Sequence, residues 1–335
     1  MSGALRQLAR EALGAIPGDC ADWLRALGGP VAIRVPGRDR TRTRAVTTLL
    51  HGNEPSGARA LHAWLRRGAL PAVDALLVVA NVEAALAAPG FAHRMLPGHR
   101  DLNRCFAGPF DDPDGALARQ ILDAIADAAP EALVDLHNNT GHNPPYAVGL
   151  APAPAVLRVA ALFADRFVEN RLPLGALMEA LAPPCATIEV GRSGDPAADA
   201  VALSGLERFL ERDDVLHSVG EPLVQVLSMS MRAELRPGVT LAVAARPAEG
   251  ADFTLHADLD QHNFERVEPG TALGWCRDAA CPLVLRDDRG ADRSGDYFAV
   301  EAGRLRARRP LVPIMITTDP KIAAADCLFY VVEER

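Results

Sequence analysis

Two histidine motifs, each at the end of a short apolar run, most constrain what this chain can fold into. The first, His51-Gly52-Asn53-Glu54, follows the run Ala45–Leu50, and the second, Asp135-Leu136-His137, follows Ala132–Val134. Short apolar runs rich in β-branched residues and bounded by turn residues are typical of buried strands. Both motifs are therefore predicted at strand ends, where their side chains can converge.

Two imidazoles and one carboxylate are the protein ligands of many catalytic zinc sites, which keep a fourth position open. His51 and Glu54 are three residues apart, so a tight turn after the strand can aim both at one ion, while His137 comes from a remote strand. This arrangement differs from the H-E-x-x-H helix, in which both histidines are local. Although an H-x-x-E pair is common by chance, its combination with a distant strand-end D-L-H predicts a metal site with His51, Glu54 and His137 as ligands.

Composition limits the class of protein. The chain has 335 residues, 49% apolar and 23% charged, which is the balance of a globular protein with room for a large and a smaller domain. The net charge of −8 argues against a nucleic-acid surface. No apolar stretch is long enough to span a membrane, and the first residues lack the apolar core of a signal peptide, so a cytoplasmic protein is expected. The sequence leaves open whether it forms a homo-oligomer.

Cysteine spacing adds no second metal or redox site. The nearest pair, Cys276 and Cys281, fits neither a zinc ribbon nor a C-x-x-C motif. All six cysteines are therefore predicted to be reduced thiols.

Apolar runs alternate with helical patterns between residues 31 and 210, which indicates an α/β layered fold. Predicted helices cover 56–67, with Ser56 as the cap, 114–128 and 196–210, and predicted strands cover 75–80, 133–136 and 186–190. From residue 221 the sequence pattern changes to short apolar runs separated by Pro and Gly. We predict a catalytic domain at 1–214, whose residues 1–30 form a helical extension, and a β-rich domain at 215–335.

Glu189 interrupts the apolar strand Ala186–Val190 near its end. Buried glutamates are rare unless they are paired, so one interpretation is a general base beside the metal. The alternative is an edge-strand glutamate that faces solvent, and the segment alone does not separate the two. Downstream of a Gly/Pro/His loop, Asn103-Arg104 can bind a carboxylate through an amide and a guanidinium fork, although two surface arginines in a loop would look the same.

Taken together, four motifs resemble the succinylglutamate desuccinylase/aspartoacylase family of zinc-dependent, carboxypeptidase-like hydrolases. They are His51–Glu54, Asp101–Arg104, Asp135–Asn138 and Ile188–Gly191, in the family's order. A weaker similarity to the family's sequence pattern continues to about residue 275. The resemblance implies an α/β fold with three layers, a mixed central sheet and a smaller C-terminal β-rich domain. It also implies one Zn²⁺ per chain and cleavage of the amide of a small N-acyl amino acid.

Residue roles follow from the same resemblance. It implies zinc ligation by His51, Glu54 and His137, general acid/base catalysis by Glu189, and carboxylate binding by Asn103 and Arg104. Arg94 lies roughly where the family carries an arginine that polarises the scissile carbonyl, but two extra residues separate it from the D-L-N-R motif.

The chain also departs from the family pattern. Asn138 after D-L-H is closer to aspartoacylases than to desuccinylases, and it is a candidate substrate contact together with His142. Where aspartoacylases carry a substrate-contacting tyrosine after E-A-A, this chain reads Glu301-Ala302-Gly303-Arg304, so Arg304 is a further candidate.

Three functions therefore remain open at the level of sequence. The favoured one is a zinc-dependent amidohydrolase acting on N-acyl amino acids. A carboxypeptidase or peptidoglycan amidase could use the same scaffold, and a zinc-binding protein without turnover could use the same ligands. Glu189 argues against the last, because a purely structural zinc site needs no base and normally closes its fourth position.

Overall fold

Strands and helices alternate through the first two-thirds of the chain, and strands dominate the rest. The computed structural model describes residues 3–217, 224–325 and 327–334. They form two units, one of residues up to 138 with 145–167 and 173–225, and one of 139–144, 168–172 and 226 onward. The division at 214/215 stays a prediction, and residues 218–223 next to it lie outside the described residues.

The first unit is built on a mixed sheet. Its strands are β1 (Arg6–Ala9), β2 (Val31–Val35), β3 (Asp39–Thr48), β4 (Val73–Val79), β5 (Ala132–Asn139), β6 (Tyr146–Gly149), β7 (Arg166–Asn170), which is shared with the second unit, and β8 (Cys185–Arg192). Within this unit the order is β1-β2-β4-β3-β5-β8-β6. β3 runs parallel to both β4 and β5, whereas β2 is antiparallel to β4 and β6 is antiparallel to β8.

Helices follow most of these strands. They are α1 (Cys20–Leu27), α2 (Ser56–Arg66), α3 (Val82–Leu86), α4 (Pro113–Ala128), α5 (Pro154–Ala160) and α6 (Pro196–Glu211), with 3₁₀ turns at Arg10–Leu13, Leu102–Arg104 and Leu177–Ala180. The mixed α/β architecture confirms the predicted fold class, and α2, α4 and α6 match the predicted helices to within two residues. No helix in the described part of the chain is long and apolar enough to cross a membrane.

Two local predictions are wrong. The N-terminal extension is not wholly helical, because Arg6–Ala9 pairs in parallel with β2 and so satisfies the backbone of the sheet edge. Ser56 does not cap α2, since Pro55 occupies the cap position without a side-chain bond. The Ser56 N–H is instead satisfied by the amide oxygen of Asn138, at 3.0 Å.

The second unit is β-rich, as predicted. It contains β9 (Gln225–Leu235), β10 (Leu241–Ala244), β11 (Phe253–His256), β12 (Ala272–Cys276), β13 (Leu283–Asp287), β14 (Phe298–Glu301), β15 (Arg304–Ala307), β16 (Val312–Ile314) and β17 (Phe329–Glu334), with short helices α7 (Ser294–Tyr297) and α8 (Pro320–Ala325) and a 3₁₀ turn at Leu259–His262. One sheet has the order β10-β11-β12-β15-β14, and β9 pairs with β13 and β17. Phe253, Leu305 and Phe329 belong to its apolar core. All six cysteines are free.

A fully buried arginine holds the middle of β3 in place. Arg44 has no exposed side-chain surface. Its Nε donates to Glu131 at 2.7 Å, and its two terminal nitrogens donate to the carbonyls of Phe209, Arg212 and Asp213 at 2.6–3.0 Å. A buried guanidinium is tolerated only when its donors are satisfied. Arg44 thus ties β3, which leads to the His51 motif, to the segment that ends α6.

Replacing Arg44 should therefore be costly. Arg44→Met removes the buried Nε donor to Glu131 and the guanidinium donors to three backbone carbonyls, and we expect it to lower the free energy of unfolding by about 3 kcal/mol. Arg42 is the matched control, because it also pairs with Glu131 but its side chain is 40% exposed. Arg42→Gln should cost less than about 1 kcal/mol. Urea unfolding of both variants measures the difference, and equal losses would show that Arg44 is not the anchor.

Candidate metal centre

The His51 motif forms a sharp turn directly after β3. Leu49 adopts a positive φ of 55°, and the Glu54 N–H closes a turn on the His51 carbonyl at 3.2 Å. Gly52 sits against backbone, since a Cβ there would lie 2.6 Å from atoms of Ala84 and Ala85. Its N–H also donates to the Arg94 carbonyl at 2.9 Å. Glycine is required by this close approach, which folds the turn back so that His51 and Glu54 point the same way.

β5 delivers the second histidine to the same place. Potential ligand atoms of His51, Glu54 and His137 all lie within 4.8 Å of one another, and all three residues are at most 4% exposed. The Nδ1 atoms of the two histidines contact the two oxygens of Glu54, at 2.9 Å for His51 and 2.7 Å for His137. The rings meet edge to face, with centroids 5.0 Å apart. The structure thus brings together the three residues predicted as ligands.

Each histidine is oriented by a further carboxylate. His51 Nε2 contacts Asp101 Oδ1 at 2.9 Å, and His137 Nε2 contacts Asp135 Oδ2 at 2.7 Å. Asp135 is fully buried and accepts a 2.5 Å hydrogen bond from Thr47, its register partner on β3. A carboxylate on the far nitrogen fixes the ring and leaves the near nitrogen basic, which is how metal-binding histidines are usually supported.

The donor set therefore fits a divalent metal. Two imidazole nitrogens and a carboxylate suit zinc in number and type, and the Asp101 and Asp135 contacts supply the outer support that such sites carry. Asp101 and Asp135 were not assigned roles from sequence. Asp135 had a readable signal, since residues i and i+2 of a strand face the same side. Asp101 had only its place in the Asp101–Arg104 motif, because it lies in a loop without periodicity.

Charge pairing shifts the pKa values in this cluster. Burial raises the pKa of Glu54, but the charges of His51 and His137 outweigh it and hold the value well below its usual range. For His137, burial lowers the pKa, and the Asp135 and Glu54 carboxylates more than reverse this. The pKa of Asp101 is likewise held low against burial, by His51 and Arg94. The cluster thus favours ionised carboxylates facing the imidazoles.

Arg94 lies beside this cluster despite its altered spacing. Its Nε and Nη2 donate to Asp101 Oδ2 at 3.0 and 2.8 Å, and its Nη1 is 3.5 Å from Glu54 Oε1. The Asp101 contact turns the guanidinium so that the Nη1 edge faces the ligand carboxylate. The loop insertion before the D-L-N-R motif therefore does not remove Arg94 from the site.

Glu189 lies near the end of β8, in register with the buried Tyr146 of β6. Burial raises its pKa from 4.5 to about 8, while the positive charge of His137 and then Arg94 opposes the shift, so Glu189 is close enough to sense both. The side chain is half-buried rather than solvated. This environment differs from that of a glutamate on an exposed sheet edge.

Asn103 and Arg104 lie in the 3₁₀ turn after Asp101. The Asn103 N–H donates to Asp101 Oδ1 at 2.9 Å, and its amide oxygen accepts from the Leu177 N–H at 2.9 Å, so the amide plane is fixed. Arg104 is half-buried and donates to the Asn103 carbonyl. The same aspartate thus holds His51, Arg94 and this turn.

The remaining candidates are placed differently. Asn138 is buried, and its side chain bonds to Ser56 and to the Gly191 carbonyl. His142 and Arg304 belong to the second unit, where both are exposed, and the His142 N–H bonds to Asp260 at 3.3 Å. Substrate contacts by these three residues stay predictions.

This geometry defines a buried cluster of two histidines and one carboxylate that could hold a metal ion, with an adjacent half-buried glutamate. Residues 40–203 match the profile of the succinylglutamate desuccinylase/aspartoacylase catalytic domain. This match confirms the resemblance seen in the motifs, and members of that family are hydrolases acting on N-acyl amino acids.

Solved structures share the fold over most of the chain. Succinylglutamate desuccinylase from Vibrio cholerae is 14% identical, with a TM-score of 0.60 and 96% of each chain covered. Murine aminoacylase 3 is 20% identical, with a TM-score of 0.54 over 89% of this chain and 97% of that one. The product-bound ectoine utilization protein EutE (DoeB) from Ruegeria pomeroyi is 20% identical, with a TM-score of 0.53 and 90% and 87% covered. No curated protein sequence matches the chain.

Proposed function

We propose that the chain is a zinc-dependent amidohydrolase that cleaves the amide bond of a small N-acyl amino acid. The observation that carries the proposal is the buried cluster of His51, Glu54 and His137, each histidine backed by a carboxylate, within a segment of the desuccinylase/aspartoacylase family. The structural neighbours include murine aminoacylase 3 and the succinylglutamate desuccinylase from Vibrio cholerae.

His51, Glu54 and His137 would hold the ion. A zinc ion bound there supplies Lewis acidity, which lowers the pKa of a water and polarises a carbonyl. The oriented Nδ1 atoms and the Glu54 carboxylate are the groups that this chain contributes to that chemistry. Asp101 and Asp135 keep the rings from rotating away.

Glu189 would move the proton. Its carboxylate accepts a proton from the attacking water and passes it to the nitrogen of the leaving amine, so that the amine departs neutral. A half-buried carboxylate with a raised pKa is suited to both halves of this transfer, because it gives the proton up as readily as it takes it. A zinc-binding protein without turnover would need no proton-transferring carboxylate such as Glu189 beside the metal.

Arg94 and the Asn103-Arg104 pair would orient the substrate. Arg94, held by Asp101, presents Nη1 toward the ligand cluster and can donate to the oxygen that gains negative charge as the amide is attacked. The Arg104 guanidinium and the fixed Asn103 amide would bind the substrate carboxylate, which places the scissile bond. The substrate class is therefore one that carries a carboxylate near its amide.

Zinc content is the first prediction. The purified protein should contain close to one zinc per chain, and His137→Ala should lose both metal and activity, because the remaining imidazole and carboxylate form an incomplete site. His217→Ala is the control, since this histidine is 81% exposed. Elemental analysis and turnover of N-acyl amino acids measure the two effects. Activity that survives complete chelation would contradict the proposal.

Arg104 tests substrate binding. Arg104→Lys keeps the charge but loses the planar fork, so kcat/KM for carboxylate substrates should fall by a factor equivalent to roughly 2–5 kcal/mol. Arg38→Lys, at an exposed pair with Asp213, should leave kcat/KM unchanged. Steady-state kinetics on N-acetyl, N-formyl and N-succinyl amino acids measures both variants. An unchanged kcat/KM in Arg104→Lys would remove this residue from the site.

Glu189 tests the chemical step. Glu189→Gln keeps the shape but not the basic oxygen, so zinc should stay bound while kcat falls by about 10²–10⁴-fold. Glu189 must be deprotonated to accept a proton, so wild-type activity should rise with pH through its pKa. That limb should lie between 4.5 and about 8, since bound zinc opposes the effect of burial, and it should vanish in Glu189→Gln.

The pair of Glu207 with Arg67 provides the matched control, because Glu207→Gln removes a carboxylate that pairs with Arg67 and not with the ligand cluster. It should keep both rate and pH profile. Loss of zinc from Glu189→Gln would make Glu189 a ligand, and near-normal rates would place it outside the reaction.

A further inference from the structure

Asn138 occupies the point where three parts of the candidate site meet. Its backbone N–H donates to Glu54 Oε2 at 3.3 Å, and its side-chain oxygen accepts from the Ser56 N–H at 3.0 Å, at the start of α2. Its Nδ2 donates to the Gly191 carbonyl at 3.1 Å, two residues beyond Glu189. Asn138 lies on β5 next to His137, and its hydrogen bonds reach both the turn that carries Glu54 and the strand that carries Glu189.

The orientation of this amide is chemically determined. Its oxygen faces an N–H donor and its nitrogen faces a carbonyl acceptor, so the flipped amide would lose both bonds. Nδ2 also donates to Ser56 Oγ at 2.9 Å. All of these groups are buried, with Ser56 at 0% and Asn138 at 3% exposure. An unmade hydrogen bond here would not be replaced by bulk water.

Asp199 on α6 determines which groups donate and which accept in this series of hydrogen bonds. Ser56 Oγ donates to Asp199 Oδ1 at 2.6 Å, and because a carboxylate only accepts, the Ser56 hydroxyl is left as an acceptor for Asn138. The other oxygen of Asp199 accepts from Arg59 at 2.9 Å on the more exposed side. A series of hydrogen bonds therefore runs from Asp199 on α6 through Ser56 and Asn138 to the Gly191 carbonyl near the end of β8.

We infer that Asn138 is a positioning residue that fixes the spacing between Glu189 and the metal ligands, and that Asp199 acts on it through Ser56. The inference rests on the proposed function for the role of Glu189. It assigns Asn138 to the protein scaffold rather than to substrate, since its amide is committed to Ser56 and Gly191. Groups of this kind that support metal ligands typically contribute 10–100-fold in metal affinity or activity.

The test is a set of variants of the zinc-loaded, full-length protein. Asn138→Ala should lower kcat by about 10–100-fold while KM changes less than about twofold, because substrate contacts are not removed. Ser56→Ala should lower kcat less, with the same pattern, and it serves if Asn138→Ala does not fold. Arg59→Gln leaves the Ser56–Asp199 bond in place and should keep the wild-type kcat.

A double-mutant cycle tests whether Asp199 acts on Asn138 through Ser56. If Asp199 acts only through Ser56, the Ser56→Ala/Asp199→Asn double variant should be no slower than Ser56→Ala alone. Zinc affinity, measured by competition with a chromophoric chelator, should show the same non-additivity. This second readout holds even if no N-acyl amino acid is turned over, so failure of the proposed function would be recognised separately.

Other results would overturn the inference. One is an unchanged kcat and zinc affinity in Asn138→Ala. Another is a rise in KM with kcat unchanged in that variant, which would make Asn138 a substrate contact. Losses in Arg59→Gln equal to those in Asn138→Ala, or additive effects in the double-mutant cycle, would also contradict it.

Discussion

The structure around the candidate site depends on keeping a buried carboxylate between two buried imidazoles. Glu54 lies within 2.9 Å of both Nδ1 atoms, with Asp101 and Asp135 on the far nitrogens. Burying several titratable groups is unfavourable unless each is paired and hydrogen-bonded, or bound to an ion. A divalent cation would relieve the excess of carboxylate groups over imidazoles, which is the physical argument for the proposed metal.

The scaffold meets this demand by placing Asp135 and His137 on β5 and the His51 turn close to the end of β3. Thr47 and Asp135 are register partners on parallel strands, so the carboxylate that orients His137 is itself fixed by the sheet. The close approach of Gly52 to the backbone at Ala84 folds the ligand turn. Sites built in this way hold reacting groups more accurately than sites on loops alone.

Much of this could be predicted from sequence, and the failures have physical causes. The apolar runs before His51 and His137 located the strands, because buried parallel strands read as continuous apolar segments. The strand at Arg6–Ala9 was missed because pairing with the edge of β2, a non-local contact, decides its conformation. Asp101 was missed because loops have no periodicity. The Ser56 cap was wrong because a tertiary partner, Asn138, replaced the local one.

X-ray absorption at the zinc edge of the purified protein tests the central claim most directly. The account predicts a shell of nitrogen and oxygen ligands at about 2.0–2.1 Å, with outer-shell scattering from two imidazole rings. His137→Ala should retain at most one imidazole if any zinc remains. A sulfur shell at about 2.3 Å would place the metal on cysteines instead, and a single imidazole in the wild type would contradict the His51–Glu54–His137 centre.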